Sequence, residues 1–421
     1  MSITPLKNAS LALWLDYLIA IHPTEIDMGL ERVSIVADRL GLRTLGETKV
    51  VTVAGTNGKG TTCAMVEQVL HLAGYTVGVY SSPHLLKYNE RVRIKGKDAL
   101  DEQLIQAFEV INCIREDISL SFFEFATLAA LYLFKAAKLN VILLEVGLGG
   151  RLDATNIIDS DIAVVTSIDL DHQEYLGDTR DSVATEKAGI FRTLKPGIVG
   201  EPDIPNSLLE VAQNKGTELY CVNQQFGYQL SESNNQQWDY YGMSRSIMQL
   251  PLPQLPLPNA VTALAVIELG WPDISIELIK RAIAEARLEG RLEVVSEQPL
   301  IMLDVAHNPH AARYLATRLN AFKTKRLFAV CGMLKDKDCT EVINILDEQI
   351  DYWAFTALNV DRSATPEDLQ AALRGSGSSS QHTSLEAAWS ELSLILTPDD
   401  AVIVFGSFYT VAEFKALTLN F

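Results

Sequence analysis

The chain has 421 residues, 48% of them hydrophobic and 21% charged, more than one hydrophobic core normally serves and far from the composition of a disordered chain. Lys and Arg total 35 against 53 Asp and Glu, a net charge of −18, and such a field repels a phosphate backbone, so no nucleic-acid partner is expected. A phosphorylated small molecule stays admissible, because a few backbone N–H groups, one lysine and a metal ion can hold it locally.

Taken in chain order, the apolar stretch 11–21 is interrupted by Asp16 and lacks a small-residue cleavage site, so it does not read as a signal peptide. From Lys49 onward, short β-branched runs alternate with amphipathic segments, the pattern of an α/β fold with a mostly parallel sheet. VVTVAG (50–55), TVGVYSS (76–82), VILLEVG (141–147) and IAVVTSI (162–168) read as buried strands. Between the first two, 61–73 places Met65, Val66, Val69, Leu70 and Ala73 on one helical face, with Gly74 suited to the C-terminal cap.

A polar segment, 229–246, reads as a small antiparallel excursion, and the proline-rich LPLPQLPLPN (250–259) is not expected to be helical. A helix is expected to restart after Asn259, through ALAVIELG (263–270) and again in ELIKRAIAEA (277–286). Gly290-Arg291 opens a second series with strands at 300–306, 327–333, 352–358 and 401–407. The boundary is placed near residue 292, giving domains 1–292 and 293–421, and RGSGSSSQ (374–381) reads as a flexible surface loop.

The five cysteines, Cys63, Cys113, Cys221, Cys331 and Cys339, are dispersed with no CxxC pair, which fits a reducing, cytoplasmic setting. No uncharged run reaches the roughly 20 residues that span a bilayer, so no membrane partner is expected.

The strongest local signal is Gly55-Thr56-Asn57-Gly58-Lys59-Gly60-Thr61-Thr62, between a predicted strand and a predicted helix. There, successive N–H groups and a helix N-terminus would cradle phosphates. It departs from the common GxxxxGK[ST] form, since the first glycine lies three residues before Gly58 and Gly60 separates the lysine from the hydroxyl. Glu145 ends a buried strand, where a carboxyl end delivers side chains into a crevice, and is a magnesium candidate. The neighbouring Gly147, Gly149 and Gly150 suggest that something large approaches the backbone. Ser167 to His172 ends another strand with Asp169, Asp171 and His172.

GTNGKGTT, YSSPHL (80–85), EVGLGGRLDATN (145–156), TSIDLDHQEYLG (166–177), EKAGIF (186–191), GR (290–291), DVAHNPHA (304–311) and GSFYTV (406–411) together resemble the bacterial folylpolyglutamate synthase/dihydrofolate synthase family. That family belongs with the Mur ligases among ATP-dependent amide-forming enzymes. The resemblance implies a P-loop, Mur-ligase-like N-terminal domain that binds ATP and folate. A smaller Rossmann-like C-terminal domain would contribute to ATP and glutamate binding, with the nucleotide contacted from both.

It implies a ligase that adds L-glutamate to dihydropteroate and to reduced folates through an acyl phosphate, with ATP and Mg²⁺ and as a monomer. The alternatives are a Mur-type ligase acting on a UDP-sugar precursor and a P-loop ATPase that makes no amide. Lys59 would neutralise the β and γ phosphates, the amides of Thr56 to Gly60 would hold phosphate oxygens, and Thr61 would assist the metal. Ser82, Glu145 and His172 are implied as metal ligands, although an imidazole is an unusual one for magnesium. Lys187 matches a lysine that the family carries as a carbamate, which requires a neutral amine and hence a lowered pKa. With Lys59 and His172 it completes the implied catalytic set. Asn259, Arg291 and Asp304 match nucleotide contacts, while His307 and Ser407 are candidates for binding glutamate. Asp27 in IDMGLERV (26–33), Phe122, Phe123 and Glu124 in SFFEF, and Asp153 with Ala154 match segments that bind the dihydropteroate end.

Overall fold

The computed structural model describes residues 4–6, 9–24, 27–231, 237–320, 322, 326–375 and 378–418. Among them the chain divides into two compact units, Met1–His84 with Tyr88–Arg287, and Leu85–Lys87 with Leu288–Phe421. Each is a mixed α/β body of its own.

The first unit is built on an eight-stranded sheet. Lys49–Ala54 lies at its middle, paired in parallel with Val141–Glu145 on one side and Ile162–Val165 on the other. Val77–Tyr80 continues the parallel set beyond Val141–Glu145, and Pro196–Val199 and Glu218–Cys221 continue it on the far side. Val92–Ile94 and Lys97–Asp98 close one edge antiparallel. The central strands are apolar at nearly every position, as a sheet covered on both faces requires. Val50, Ile142 and Leu144 enter one core with the helices Leu11–Ala20, Glu31–Arg39, Asp101–Arg115 and Phe122–Ala137. Ala54, Ala163, Val165 and Val199 enter another with Arg180–Ala188 and Asn206–Lys215.

The polar excursion is a three-stranded antiparallel sheet of Gly227–Leu230, Gln237–Tyr241 and Ser246–Pro251; 232–236 of that predicted segment lie outside the described residues. Glu268 on the following helix ties it down, accepting from Tyr240 Oη at 2.9 Å and from the Ser244 and Arg245 amides.

Two expectations are corrected. The helix after the prolines spans Leu257–Gly270 and begins before Asn259, because Pro258 sits in its first turn, where an N–H would be unpaired anyway. The segment read as a Gly/Ser loop contributes a strand, Ser378–His382, paired in parallel with Tyr352–Thr356 at the sheet edge; its residues 376–377 lie outside the described residues.

The second unit carries a six-stranded sheet, parallel except for the edge strand Glu293–Glu297. Its central members are Leu300–Asp304, Ala401–Phe405 and Leu327–Cys331. Alternate residues divide between two cores: Met302, Ala329, Ile403 and Phe405 in one, Leu303, Phe328, Val402 and Val404 in the other. That two-residue period means both faces are covered.

Candidate functional site

The phosphate turn follows the central strand and leads into the helix Lys59–Leu72. Gly58 is the N-cap, at φ 86°. A Cβ there would fall 2.5 Å from Asn259 Oδ1, so both conformation and space demand glycine. A Cβ on Gly55 would fall 1.9 Å from Thr166 Oγ1. The turn is bolted to the exit of strand Ile162–Val165. Thr56 N–H donates to Ser167 O at 2.9 Å and Asn57 N–H to Ser167 Oγ at 3.0 Å, while Thr166 Oγ1 donates to Asn57 O at 2.6 Å. No side chain caps the helix among the described residues, so its first-turn N–H groups and dipole present positive potential at the turn.

Lys59 folds back over the turn, donating to Gly55 O at 2.9 Å and Thr56 O at 3.3 Å. Asn259, from the helix far along the chain, donates to Thr61 Oγ1 at 2.7 Å, and Thr61 Oγ1 donates to Gly58 O at 3.0 Å. The structure therefore brings Asn259 onto the turn.

Glu145 and Ser82 meet at the ends of neighbouring parallel strands. Glu145 is 6% exposed, and Ser82 N–H donates to its Oε2 at 3.3 Å. A buried carboxylate with a hydroxyl-bearing residue beside it is a hard-oxygen donor set that fits magnesium. Among the described residues, no group of three or more His, Cys, Asp or Glu is arranged to hold a metal. His172 is exposed, at φ 51°, beyond the adjacent strand, with its N–H on Asp171 Oδ1 at 2.9 Å.

Lys187 lies in the last turn of helix Arg180–Ala188 and is 3% exposed. Burial, reinforced by the positive charge of Lys59 and only partly opposed by Asp171, pushes its ammonium down to about 7. A large fraction of it is thus neutral near pH 7. The glycines near Glu145 are corrected here, because what approaches them is the protein itself. A Cβ on Gly147 would meet the Phe123 ring at 2.5 Å, and one on Gly150 would meet Glu186 O at 2.7 Å.

A second cluster gathers Asp27, Arg32 and Glu124. Arg32 Nη1 pairs with Asp27 Oδ2 at 2.8 Å, and Nη2 donates to Glu124 Oε1 at 3.2 Å. Glu124 also forms a capping box with Ser121, accepting its N–H at 2.7 Å. Of the three phenylalanines, Phe125 is fully buried, whereas Phe122 and Phe123 at the helix start are half-buried. Phe123 packs at 5.7 Å from Tyr80, and the Arg91 guanidinium lies 5.5 Å from the Phe122 ring centroid. Arg91 Nε donates to His84 Nδ1 at 2.8 Å. Burial, with the Arg91 charge added, lowers His84 to about 4, so its ring is neutral. Asp153 is buried and caps the turn at Ala154–Ile157, accepting from Thr155 N, Thr155 Oγ1 and Leu148 N, with burial raising its carboxyl.

In the second unit, Arg291, Asp304, His307 and Ser407 gather about the ends of Leu300–Asp304 and Ala401–Phe405. Asp304 accepts from Leu292 N and Ala306 N, each at 2.8 Å, and burial raises its carboxyl. The Arg291 guanidinium lies 5.0 Å from the Phe408 ring centroid, and the His307 ring 6.4 Å from the same ring. Ser407 is buried, its Oγ accepting from Tyr409 N at 2.8 Å.

Residues 53–267 match the Mur ligase middle domain, and 290–408 match the Mur ligase glutamate ligase domain. The chain is 48% identical over 411 residues to the dihydrofolate synthase/folylpolyglutamate synthase of Escherichia coli K12, covering 97% of this chain and 96% of that protein. The chain belongs to this family of Mur ligases. As a member it is an ATP-dependent ligase. Escherichia coli FolC in complex with DHPP and ADP superposes with a TM-score of 0.95 at 47% identity, covering 99% of each chain. A bifunctional folylpolyglutamate synthase/dihydrofolate synthase with Mn, AMPPNP and L-glutamate bound superposes with a TM-score of 0.92 at 47% identity, covering 99% of this chain and 100% of that one.

The phosphate turn, Ser82, Glu145, His172, Lys187 and Asn259 fall inside the middle-domain match, and Arg291, Asp304, His307 and Ser407 inside the other. Sequence reasoning alone passed over Arg32, which bridges two carboxylates 97 residues apart (27 and 124), and the pair His84 and Arg91. Arg32 lies within the IDMGLERV segment, but only the fold discloses its partners. No described helix is long and apolar enough to cross a membrane.

Proposed function

We propose that this chain joins the amine of L-glutamate to the carboxylate of dihydropteroate, and further glutamates to reduced folates, converting ATP to ADP and phosphate. The observation that carries the reading is the phosphate turn, with its uncapped helix start and Lys59, lying in the same sheet as the buried Glu145 strand end, within a chain whose full-length relatives hold DHPP, ADP and glutamate.

A carboxylate oxygen is too poor a leaving group for direct amide formation, so the γ-phosphoryl is first transferred to the carboxylate to give an acyl phosphate, which the amine then attacks. Protein catalysis of the first step is positioning and charge neutralisation. Of the amides expected to hold phosphate oxygens, those of Thr56 and Asn57 are engaged by Ser167, which leaves the role to the N–H groups of Gly58, Lys59 and Gly60 at the helix start, and Lys59 leaves its carbonyl partners to meet the β and γ phosphates. Asn259 steadies Thr61 and lies against the same turn. Ser82, Glu145 and His172 would hold a divalent ion, which would supply positive charge against that developing on the transferred phosphoryl group. Lys187, with its basicity depressed, is the amine on which CO₂ would form a carbamate: the ammonium first gives up one proton, and the neutral amine loses a second as the N–C bond forms, so that an anion replaces a buried cation.

On the acceptor side, Phe122 and Phe123 offer flat surfaces, and Asp27 and Glu124, both paired with Arg32, offer acceptors to an N–H-rich heterocycle. Asp153 and Ala154 would shape the wall of that site. In the second unit, Arg291 and Asp304 are assigned to the nucleotide and His307 and Ser407 to glutamate, on the strength of their motifs and of the glutamate-ligase match. The test is product identification by mass spectrometry after incubation with ATP, glutamate and dihydropteroate. Dihydrofolate and its glutamylated forms are expected. ADP formed without any acceptor, or an amide made only from a UDP-linked precursor, would overturn the reading.

A further inference from the structure

The strand exit at 166–169 is held from two sides. On one side is the phosphate turn: Thr56 Oγ1 accepts from Asp169 N at 3.0 Å and donates to Asp169 O at 2.9 Å, while Ser167 grips Asn57. On the other side stand two charged residues that the nucleotide reading does not use. Glu201, just past the strand Pro196–Val199, accepts from Ile168 N at 2.8 Å, and Arg180 Nε donates to Ile168 O at 3.0 Å. The two side chains pair with each other, Arg180 Nη2 to Glu201 Oε1 at 3.3 Å, and the Glu201 side chain is 9% exposed.

Every backbone polar group of Ile168 and Asp169 therefore ends on a side chain, and those of Ile168 end on charged ones. Ending a strand needs no buried carboxylate, since loop amides can be met by water at no desolvation cost. A carboxylate buried against a guanidinium is costly unless its geometry is well satisfied, and here it accepts from Ile168 N, Asp203 N and Arg180. The arrangement keeps Ile168 from sliding along its strand without breaking a charge-assisted hydrogen bond on each side. Ser167 and Asp169, its chain neighbours, are the residues that grip Asn57 and Thr56, and Asp171 and His172 start from the same root.

We propose that Glu201 and Arg180 form a brace that sets the position of the phosphate turn and of the Asp171–His172 segment. They are positioning residues of the nucleotide and metal end, and the inference rests on reading the 55–61 turn as the nucleotide site.

The test compares the full chain with Glu201→Ala, Glu201→Gln and Arg180→Lys. It measures the Kd of ADP with Mn²⁺ by calorimetry, the KM for dihydropteroate and the unfolding midpoint. Loss of a charge-assisted hydrogen bond predicts that Glu201→Ala weakens Mn²⁺-dependent ADP binding roughly 10-fold or more, with the KM for dihydropteroate unchanged. Glu201→Gln, which keeps an acceptor for Ile168 N–H, loses less. If Glu201→Ala does not fold, Arg180→Lys decides, because it keeps the charge but removes the Nε donor to Ile168 O; it too is expected to bind ADP more weakly. Folded variants with a lowered melting point and the parent's Kd would show the pair to be merely structural and overturn the brace. A parent chain that binds no ADP is a distinct result, which removes the nucleotide reading and the brace's role with it.

Discussion

Replacing Lys187 by Met should abolish ligation and yet make the protein more stable. The folded chain keeps this amine where burial and Lys59 lower it from 10.5 to about 7, whereas the unfolded chain restores its ordinary value. Between those two pH values the unfolded state binds more protons, so the parent gains stability as pH rises and carries its full handicap only below about pH 7. At about 1.4 kcal/mol per tenfold, the handicap is about 5 kcal/mol at low pH, about 4 at pH 7 and about 2 at pH 9. Methionine fills similar space without a charge, and the packing mismatch costs under about 1.5 kcal/mol. Urea unfolding of both chains at pH 7 and pH 9 reads the difference: Lys187→Met is expected to be the more stable, by a margin that shrinks at the higher pH. Dissolved CO₂ should stabilise the parent alone, as a ligand of the folded state does. A Met variant less stable than the parent at pH 7, or a margin independent of pH, would show that the amine is held as a paired cation and refute the reasoning.

Three further outcomes are expected. Gly58→Ala places a Cβ 2.5 Å from Asn259 Oδ1 at φ 86°; a left-handed non-glycine residue costs about 1–2 kcal/mol, so calorimetry should show ADP binding weakened roughly 5- to 30-fold, with dihydropteroate affinity retained. Arg32→Met leaves Glu124 buried without its cation and should raise the KM for dihydropteroate roughly 10-fold or more, with the KM for ATP unmoved in steady-state assays. Glu268→Ala strips the acceptor from Tyr240 and the 243–245 amides and should cost about 3 kcal/mol. Burial alone would raise Glu268, but the bonds from Ser244, Tyr240 and Arg245 outweigh it and hold the carboxyl below its usual value. Its stabilisation is therefore present above the ordinary carboxylate range and lost as pH falls through the lowered value, so the two unfolding midpoints should converge in acid.

Much of this architecture is legible in the chain, because buried parallel strands have to be apolar runs and a phosphate turn has to carry glycine and lysine. VVTVAG and GTNGKGTT announce the central strand and the turn for those reasons. Ser378–His382 escaped because an edge strand is excused from the apolar rule, and all five of its residues are polar ones that equally suit a loop. Leu257–Gly270 was read late because prolines that forbid a helix interior are tolerated in its first turn. The SFFEF segment carried two signals at once: the Ser121 to Glu124 spacing marks a helix start, and the aromatics beyond it divide between core and half-buried surface. The role of Arg32, and the contact with Thr61 of Asn259, a residue the resemblance already marks, lay beyond reach for a different reason. Their partners are set by how distant segments pack, and one sequence carries no record of that pairing.

The most direct test of phosphoryl transfer to a carboxylate follows oxygen. Dihydropteroate labelled with ¹⁸O in its carboxylate should, on ligation with glutamate and ATP, deliver one labelled oxygen to the inorganic phosphate in each turnover. Phosphate released without label while dihydrofolate accumulates would mean that no acyl phosphate forms at this turn, and the role given to Lys59 and the helix start would fail with it.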